Sequence, residues 1–140
     1  PRRSSAPTKA ATQDWDDRES VLENRVEMFE LLTGPAHPYD AASRRALFEA
    51  EIDRAVNFSS TQNHGPAIEA SDRWHERLGS ISVPTLVIHG TADPILPFDH
   101  GEALVDSIPG ATMLALDGVG HELPEAEWDR VVAALIEHTS

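Results

Sequence analysis

Two short apolar runs, "SVPTLVIHG" at 82–90 and "ATMLALDG" at 111–118, restrict this chain more than any other feature. Neither alternates apolar with polar residues; polar neighbours stand mainly at the ends, the pattern of a strand covered on both faces. Pro84 fits only near the start of such a strand, because proline cannot donate to the ladder. Between the runs, Asp99 and Glu102 form a capping-box variant ahead of Leu104, Val105 and Ile108, and Pro109-Gly110 ends that helix. Strand, helix, strand is a crossover unit, which sets the two strands parallel with a right-handed connection. The predicted fold class is α/β. Two parallel strands cannot cover their own faces, so the pattern describes the edge of a larger, here incomplete, parallel sheet.

Helical periodicity flanks this unit. Trp15, Leu22, Val26, Phe29 and Leu32 predict a helix over 14–33, stopped by Gly34-Pro35. Asp40 is the expected N-cap of a second helix carrying Leu47, Phe48, Ile52, Ala55 and Val56 on one side. After the interruption "SSTQNHGP", a third helix is expected over 66–78, burying Ala67, Ala70, Trp74 and Leu78. Pro124 opens the last helix, where Trp128, Val131, Val132, Leu135 and Ile136 recur at helical spacing. The expected organisation is a flexible arm at 1–12, a helical segment at 13–79 and a β-α-β-α segment at 80–140.

Composition removes several function classes. The formal net charge of −13 repels phosphate backbones and anionic lipid, so nucleic acid is not an expected partner. The chain has no cysteine, which excludes disulfides, thiolate metal sites and a cysteine nucleophile. The seven histidines include no HExxH spacing, so neither metal nor cofactor is expected. No apolar run approaches the ~18 residues of a membrane span. With no targeting segment visible, a cytoplasmic location is the default expectation.

Chemistry in an open α/β sheet gathers beyond the carboxyl ends of the strands. Asp93, in "GTADPILP", follows the first strand there, and His121, in "GVGHELP", follows the second. Singly, an aspartate between a glycine turn and a proline is a turn former, and a loop histidine a solvated side chain. Together they have the types and strand-end positions of a pair in which a carboxylate orients an imidazole. Nδ1–H would donate to the carboxylate, leaving Nε2 to take a proton from a hydroxyl. His89 is expected to pack at its strand end and His100 to be solvated. His64, Phe58 and Trp74 could line a pocket if the helices cover one. Glu122, Glu125 and Glu127 cluster where a helix dipole favours negative charge.

"PTLVIHGTADPILP", "IPGATMLALDG" and "GVGHELP" resemble the last two strands and loops of the α/β-hydrolase fold, in its esterase, lipase-like and haloperoxidase-like branch. The resemblance covers residues 81–138 closely and the preceding helices by position only. It implies a C-terminal portion of that fold, with residues 13–79 as a helical cap, Asp93 as triad acid and His121 as triad base. The family's G-x-S-x-G elbow occurs nowhere in this sequence. Ser59, Ser60 and Ser71 lack its glycines; Ser80 and Ser82 precede the strand; Ser4 and Ser5 lie in the arm. The expectation is therefore the acid and histidine of a serine-type hydrolase of a small carboxylic ester or similar acyl substrate, inactive as an isolated chain. Its partner is then a missing N-terminal half or a second copy pairing at the sheet edge. The alternatives are a non-catalytic processed subunit or self-associating fragment, and, if the absent nucleophile is an aspartate, a dehalogenase or epoxide hydrolase.

Overall fold

The computed structural model describes residues 14–71 and 75–140. The expected arm and Trp74 lie outside the described residues. Helix α1 (Arg18–Leu32) begins where the Asp17 carboxylate accepts from the Glu19 and Ser20 amides, at 3.1 and 3.2 Å. It ends at Thr33, whose backbone is already extended before Gly34-Pro35. Helix α2 (Ala41–Arg54) starts on Asp40, which caps the Ala42 and Ser43 amides in the same way. The two pack together over buried Val21, Leu22 and Phe48.

Aromatic rings and an arginine extend this contact. Phe29 and Phe48 stack with centroids 4.8 Å apart. The Arg25 guanidinium lies 4.7 to 5.4 Å from the centroids of Phe48, Phe58 and Phe29, and donates to Glu51 at 2.7 Å. The helical face differs from the sequence expectation at three residues, of which Ala55 is exposed at the C-cap. Leu47 is half-exposed, one position and about 100° around the helix from buried Phe48. Val56 is fully exposed because it lies beyond the helix end.

The expected third helix is broken up. Phe58–Asn63 forms a 3-10 turn, α3 (His64–Ala70) follows directly, and α4 (His75–Leu78) is a single turn. Pro66 thus falls inside the first turn of α3, where its missing N–H costs nothing. Ala67 and Ala70 are exposed rather than buried, and Leu78 is half-buried.

Strands β1 (Leu86–Gly90) and β2 (Thr112–Leu116) pair in parallel, from Leu86 opposite Thr112 to Gly90 opposite Leu116. Helices α5 (Phe98–Ser107) and α6 (Trp128–His138) pack on the pair. The Asp99 capping box does not form. Pro97 occupies the N-cap position and Asp99 lies in the first turn, where it still complements the dipole. Likewise Pro124 leads into a 3-10 turn at Glu125–Glu127 before α6.

The core of this half is Leu116, Val119 and Val131, with Ile88 and Leu114 against it. The strands are half-buried rather than covered on both faces. On α6, Trp128, Val132, Leu135 and Ile136 keep 44 to 62 % of their surface exposed, although the sequence spacing marks them as a packing face. The parallel register carries the loops after β1 and β2 out of the same end of the sheet, which positions the site.

Candidate active site

The loop after β1 is held from three sides. Thr91 N–H donates to Leu116 O at 2.9 Å, and Ala92 N–H to Val119 O at 2.9 Å. Gly118 N–H donates back to the Thr91 hydroxyl at 2.7 Å. Gly90 sits where this crossing is tightest: a Cβ there would come within 2.3 Å of Val119 O. These bonds tie the two strand-end loops into one unit.

Asp93 emerges from that unit with both carboxylate oxygens engaged. Oδ1 accepts from the Ile95 and Leu96 amides, each at 2.8 Å, so the "DPIL" turn fixes the carboxyl plane. Oδ2 lies 2.6 Å from His121 Nδ1. The aspartate side chain is 4 % exposed and the imidazole 42 % exposed. Burial opposes ionisation of Asp93, but the hydrogen bonds from His121 and the Leu96 and Ile95 amides outweigh it. Its pKa is held below the ordinary aspartate value.

An ionised Asp93 makes Nδ1 the protonated nitrogen, because the carboxylate can only accept. Nε2 is then the acceptor, and it has no partner among the described residues. The imidazole opens on a cleft of about 330 Å³ whose lining includes Asp93, Leu96, His100, Leu104 and Glu122. A buried acid, an oriented ring and an open Nε2 are competent to remove a proton from a hydroxyl in that cleft and return it to a leaving group.

The other sequence candidates separate clearly. His89 packs at its strand end, with Nε2 2.9 Å from Leu96 O and its ring edge-on to Phe98. The same Nε2 is 3.5 Å from Asp93 Oδ2, so His89 also flanks the acid. His100 is exposed and on the cleft rim. His64 is exposed and away from the cleft, and Phe58 packs against Trp15 and Arg25. Ser59, Ser60, Ser71 and Ser80 make local bonds to their own turns, and no serine lines the cleft. Among the described residues no group of three or more acids and histidines is arranged around a metal position.

The sequence reading missed a second tier of contacts on the histidine loop. Glu122 is not in a helix N-terminal turn; its nearly buried carboxylate pairs with Arg44 of α2. His121 N–H donates to Leu32 O at 2.8 Å, and Ala36 N–H to Gly118 O at 3.0 Å. His37 Nε2 lies 3.2 Å from Glu127. No local pattern announces pairs 78 or 90 residues apart. The glycines were the available signal. A Cβ on Gly34 would lie 2.2 Å from Gly118 O, and one on Gly120 would lie 1.9 Å from Leu32 O.

This arrangement has relatives. A family model described as a TAP-like protein of the α/β-hydrolase group matches residues 47–137. The chain belongs to the α/β-hydrolase superfamily. The chain is 35 % identical over 128 residues to a rhodomycin D methylesterase of Streptomyces peucetius, covering 91 % of the chain and 43 % of the relative. It is 31 % identical over 122 residues to a 2-hydroxy-6-oxononadienedioate/2-hydroxy-6-oxononatrienedioate hydrolase of Cupriavidus pinatubonensis, covering 83 % of the chain and 39 % of the relative.

The fold also matches a solved esterase from Exiguobacterium antarcticum. The TM-score is 0.63 at 24 % identity, over 89 % of this chain and 44 % of that one. The chain thus spans about two fifths of the length of the curated relatives it matches. The α/β fold class and the superfamily resemblance read from the sequence both hold. No helix among the described residues is long and apolar enough to cross a membrane.

Proposed function

We propose that this chain supplies the acid and histidine of a serine-type α/β-hydrolase that cleaves a carboxylic ester or related acyl substrate. Residues 13–79 act in this reading as the cap over the site, and residues 80–140 as the C-terminal β-α-β-α of the core. The carrying observation is the 2.6 Å contact between a nearly buried Asp93 and a His121 whose Nε2 faces a cleft. The methylesterase among the relatives agrees with an ester substrate. The nucleophile and the oxyanion donors then come from polypeptide outside these 140 residues, because no G-x-S-x-G occurs within them. That polypeptide also completes the sheet beside β1 and covers the exposed face of α6.

In the assembled site, Nε2 of His121 takes the hydroxyl proton as the nucleophile attacks the acyl carbon. It delivers that proton to the departing alcohol when the tetrahedral intermediate collapses. Water then repeats the cycle on the acyl-enzyme. Asp93 keeps its charge throughout and offsets the imidazolium.

The test is hydrolysis of a nitrophenyl ester by the 140-residue chain and by the product of the whole reading frame that encodes it. The isolated chain is expected to stay at background. The whole product is expected to turn over and to lose about 10⁴-fold in kcat on Asp93→Asn. Turnover by the isolated chain that disappears in His121→Ala would expose a nucleophile within it and overturn the reading.

One relative favours a second reading. An epoxide hydrolase A of Mycobacterium tuberculosis is 42 % identical over 59 residues, 41 % of this chain and 18 % of that protein. With an aspartate nucleophile, the same dyad would activate water against an alkyl-enzyme ester, in an epoxide hydrolase or a dehalogenase. Two reagents on the whole product distinguish them: an alkyl ester on aspartate that accumulates in His121→Gln supports the second reading, whereas a fluorophosphonate that labels a serine in the unaltered product but not in His121→Gln supports the first.

A further inference from the structure

The contacts between the helical segment and the histidine loop are concentrated at residues 118–122, although α1 and α2 pack mainly on each other. Leu32 O accepts the His121 amide, Ala36 donates to Gly118, and the chain passes so closely that Gly34 and Gly120 admit no side chain. Arg44 reaches the same loop through Glu122. Glu122 is 4 % exposed at its side chain, directly follows His121 and lines the same cleft.

A carboxylate so placed is a rival to Asp93. It carries a charge that water does not solvate, and it must find a donor. The donors facing the cleft are the imidazoles of His121, His100 and His89. The last already meets Leu96 O, and Asp93 Oδ1 is filled by backbone amides. From the helical side Arg44 meets Glu122, alone among the described residues, with the Tyr39 hydroxyl held away on Val26 O at 2.5 Å. On the remaining side His37 is engaged with Glu127.

We infer that Arg44 is a positioning residue for His121: by occupying Glu122 it keeps a second carboxylate off the imidazole, so that Nε2 remains an unprotonated acceptor open to the cleft. The inference rests on the reading of Asp93 and His121 as the functional pair. Its consequence is that the helical segment takes part in setting the proton arrangement of the base, besides covering the site.

The experiment follows the ring nitrogens of His121 by ¹⁵N NMR in the full 140-residue chain labelled on histidine, at one mildly alkaline pH. In the unaltered chain Nδ1 is expected to carry the proton and Nε2 to resonate as an unprotonated nitrogen. In Arg44→Met the Nε2 signal is expected to move toward the protonated position, while the backbone amides of β1 and α5 stay in place. Adding Glu122→Gln to Arg44→Met is expected to return Nε2 to its original position, because the freed group is no longer an anion.

A contact that mattered only for stability would behave differently, with the double variant no better than the single. That result, or an Nε2 signal unmoved by Arg44→Met, overturns the inference. Asp93→Asn is the separate control: if it leaves the Nδ1 proton signal unchanged, the Asp93–His121 pairing itself fails. Should Arg44→Met not fold, Arg44→Lys tests the same point. A retained positive charge is expected to preserve the unprotonated Nε2, and its protonation there would count against the inference.

Discussion

The two halves of the molecule are held together by different physics. The described residues of 14–71 and 75–78 form helices that share a core of Val21, Leu22 and Phe48, reinforced by Arg18–Asp53, Arg25–Glu51 and Arg45–Glu19 ion pairs. Residues 81–138 form a two-stranded parallel sheet with amphipathic helices, whose ion pairs gather at Asp93 and Glu127 and which leaves a broad apolar surface open on α6. The helix pair α1–α2 completes its own packing contact, although Leu31, Val56 and Ile68 of that half stay exposed. The sheet half does not complete its packing, because a parallel sheet needs neighbours on its edges and layers on its faces. The catalytic candidates sit in the sheet half, yet the loop carrying His121 is braced by the helical half. The helix pair thus steadies a loop of the incomplete sheet.

Four measurements break or sharpen that contrast. The largest effect is expected from Phe48→Ala, which removes the ring shared by α1, α2 and Arg25. Loss of about 3–5 kcal/mol in urea unfolding is expected, with the signals of α1 and α2 collapsing first. Gly120→Ala is expected to follow, at about 3 kcal/mol, because the new methyl group meets the backbone of Leu32 rather than a movable side chain. It should uncouple the halves, which differential hydrogen exchange on either side of residue 80 would reveal.

Removing the α1 cap with Asp17→Ala is expected to cost about 1 kcal/mol and to stay confined to the helical half. Arg45→Met, whose partners Glu19 and Glu49 are solvent-accessible, is expected to leave the midpoint unchanged in moderate salt.

A pH series addresses the junction itself. Asp93 has a lowered pKa in the folded chain, so its ionisation stabilises the fold. That contribution is fully present above the unfolded aspartate value of about 3.9 and is lost as pH falls through the lower folded value. The difference in stability between the unaltered chain and Asp93→Asn should therefore be flat near neutrality and vanish only in strong acid. A difference that disappears between pH 6 and 5 would contradict the hydrogen-bonded carboxylate described here.

Much of this was legible in the residues. The strand-helix-strand order, the Asp40 cap of α2 and the stop at Gly34-Pro35 follow from local chemistry that survives in the fold, whereas α1 begins at Arg18 on an Asp17 cap, four residues after its expected start. The errors fall where a pattern needs a partner. Asp99 had the spacing of a cap, but Pro97 had already turned the chain, so Asp99 entered the helix. Residues 66–78 had helical composition, but no surface receives Ala67 and Ala70, and the helix broke into short pieces. The spacing of Trp128, Val132, Leu135 and Ile136 marks an apolar face, which the structure leaves 44 to 62 % exposed.

What the sequence determined by itself was the class of the fold and the two strand-end residues, since strand type, crossover length and turn chemistry act over a few residues at a time. What only the tertiary structure decided was the meeting of Arg44 with Glu122, of Leu32 and Gly34 with Gly118 and Gly120, and of His121 with Asp93 at a bonding distance. Those contacts join positions 28 to 88 residues apart. Such distances are closed by the packing of whole elements, and no short-range preference encodes them.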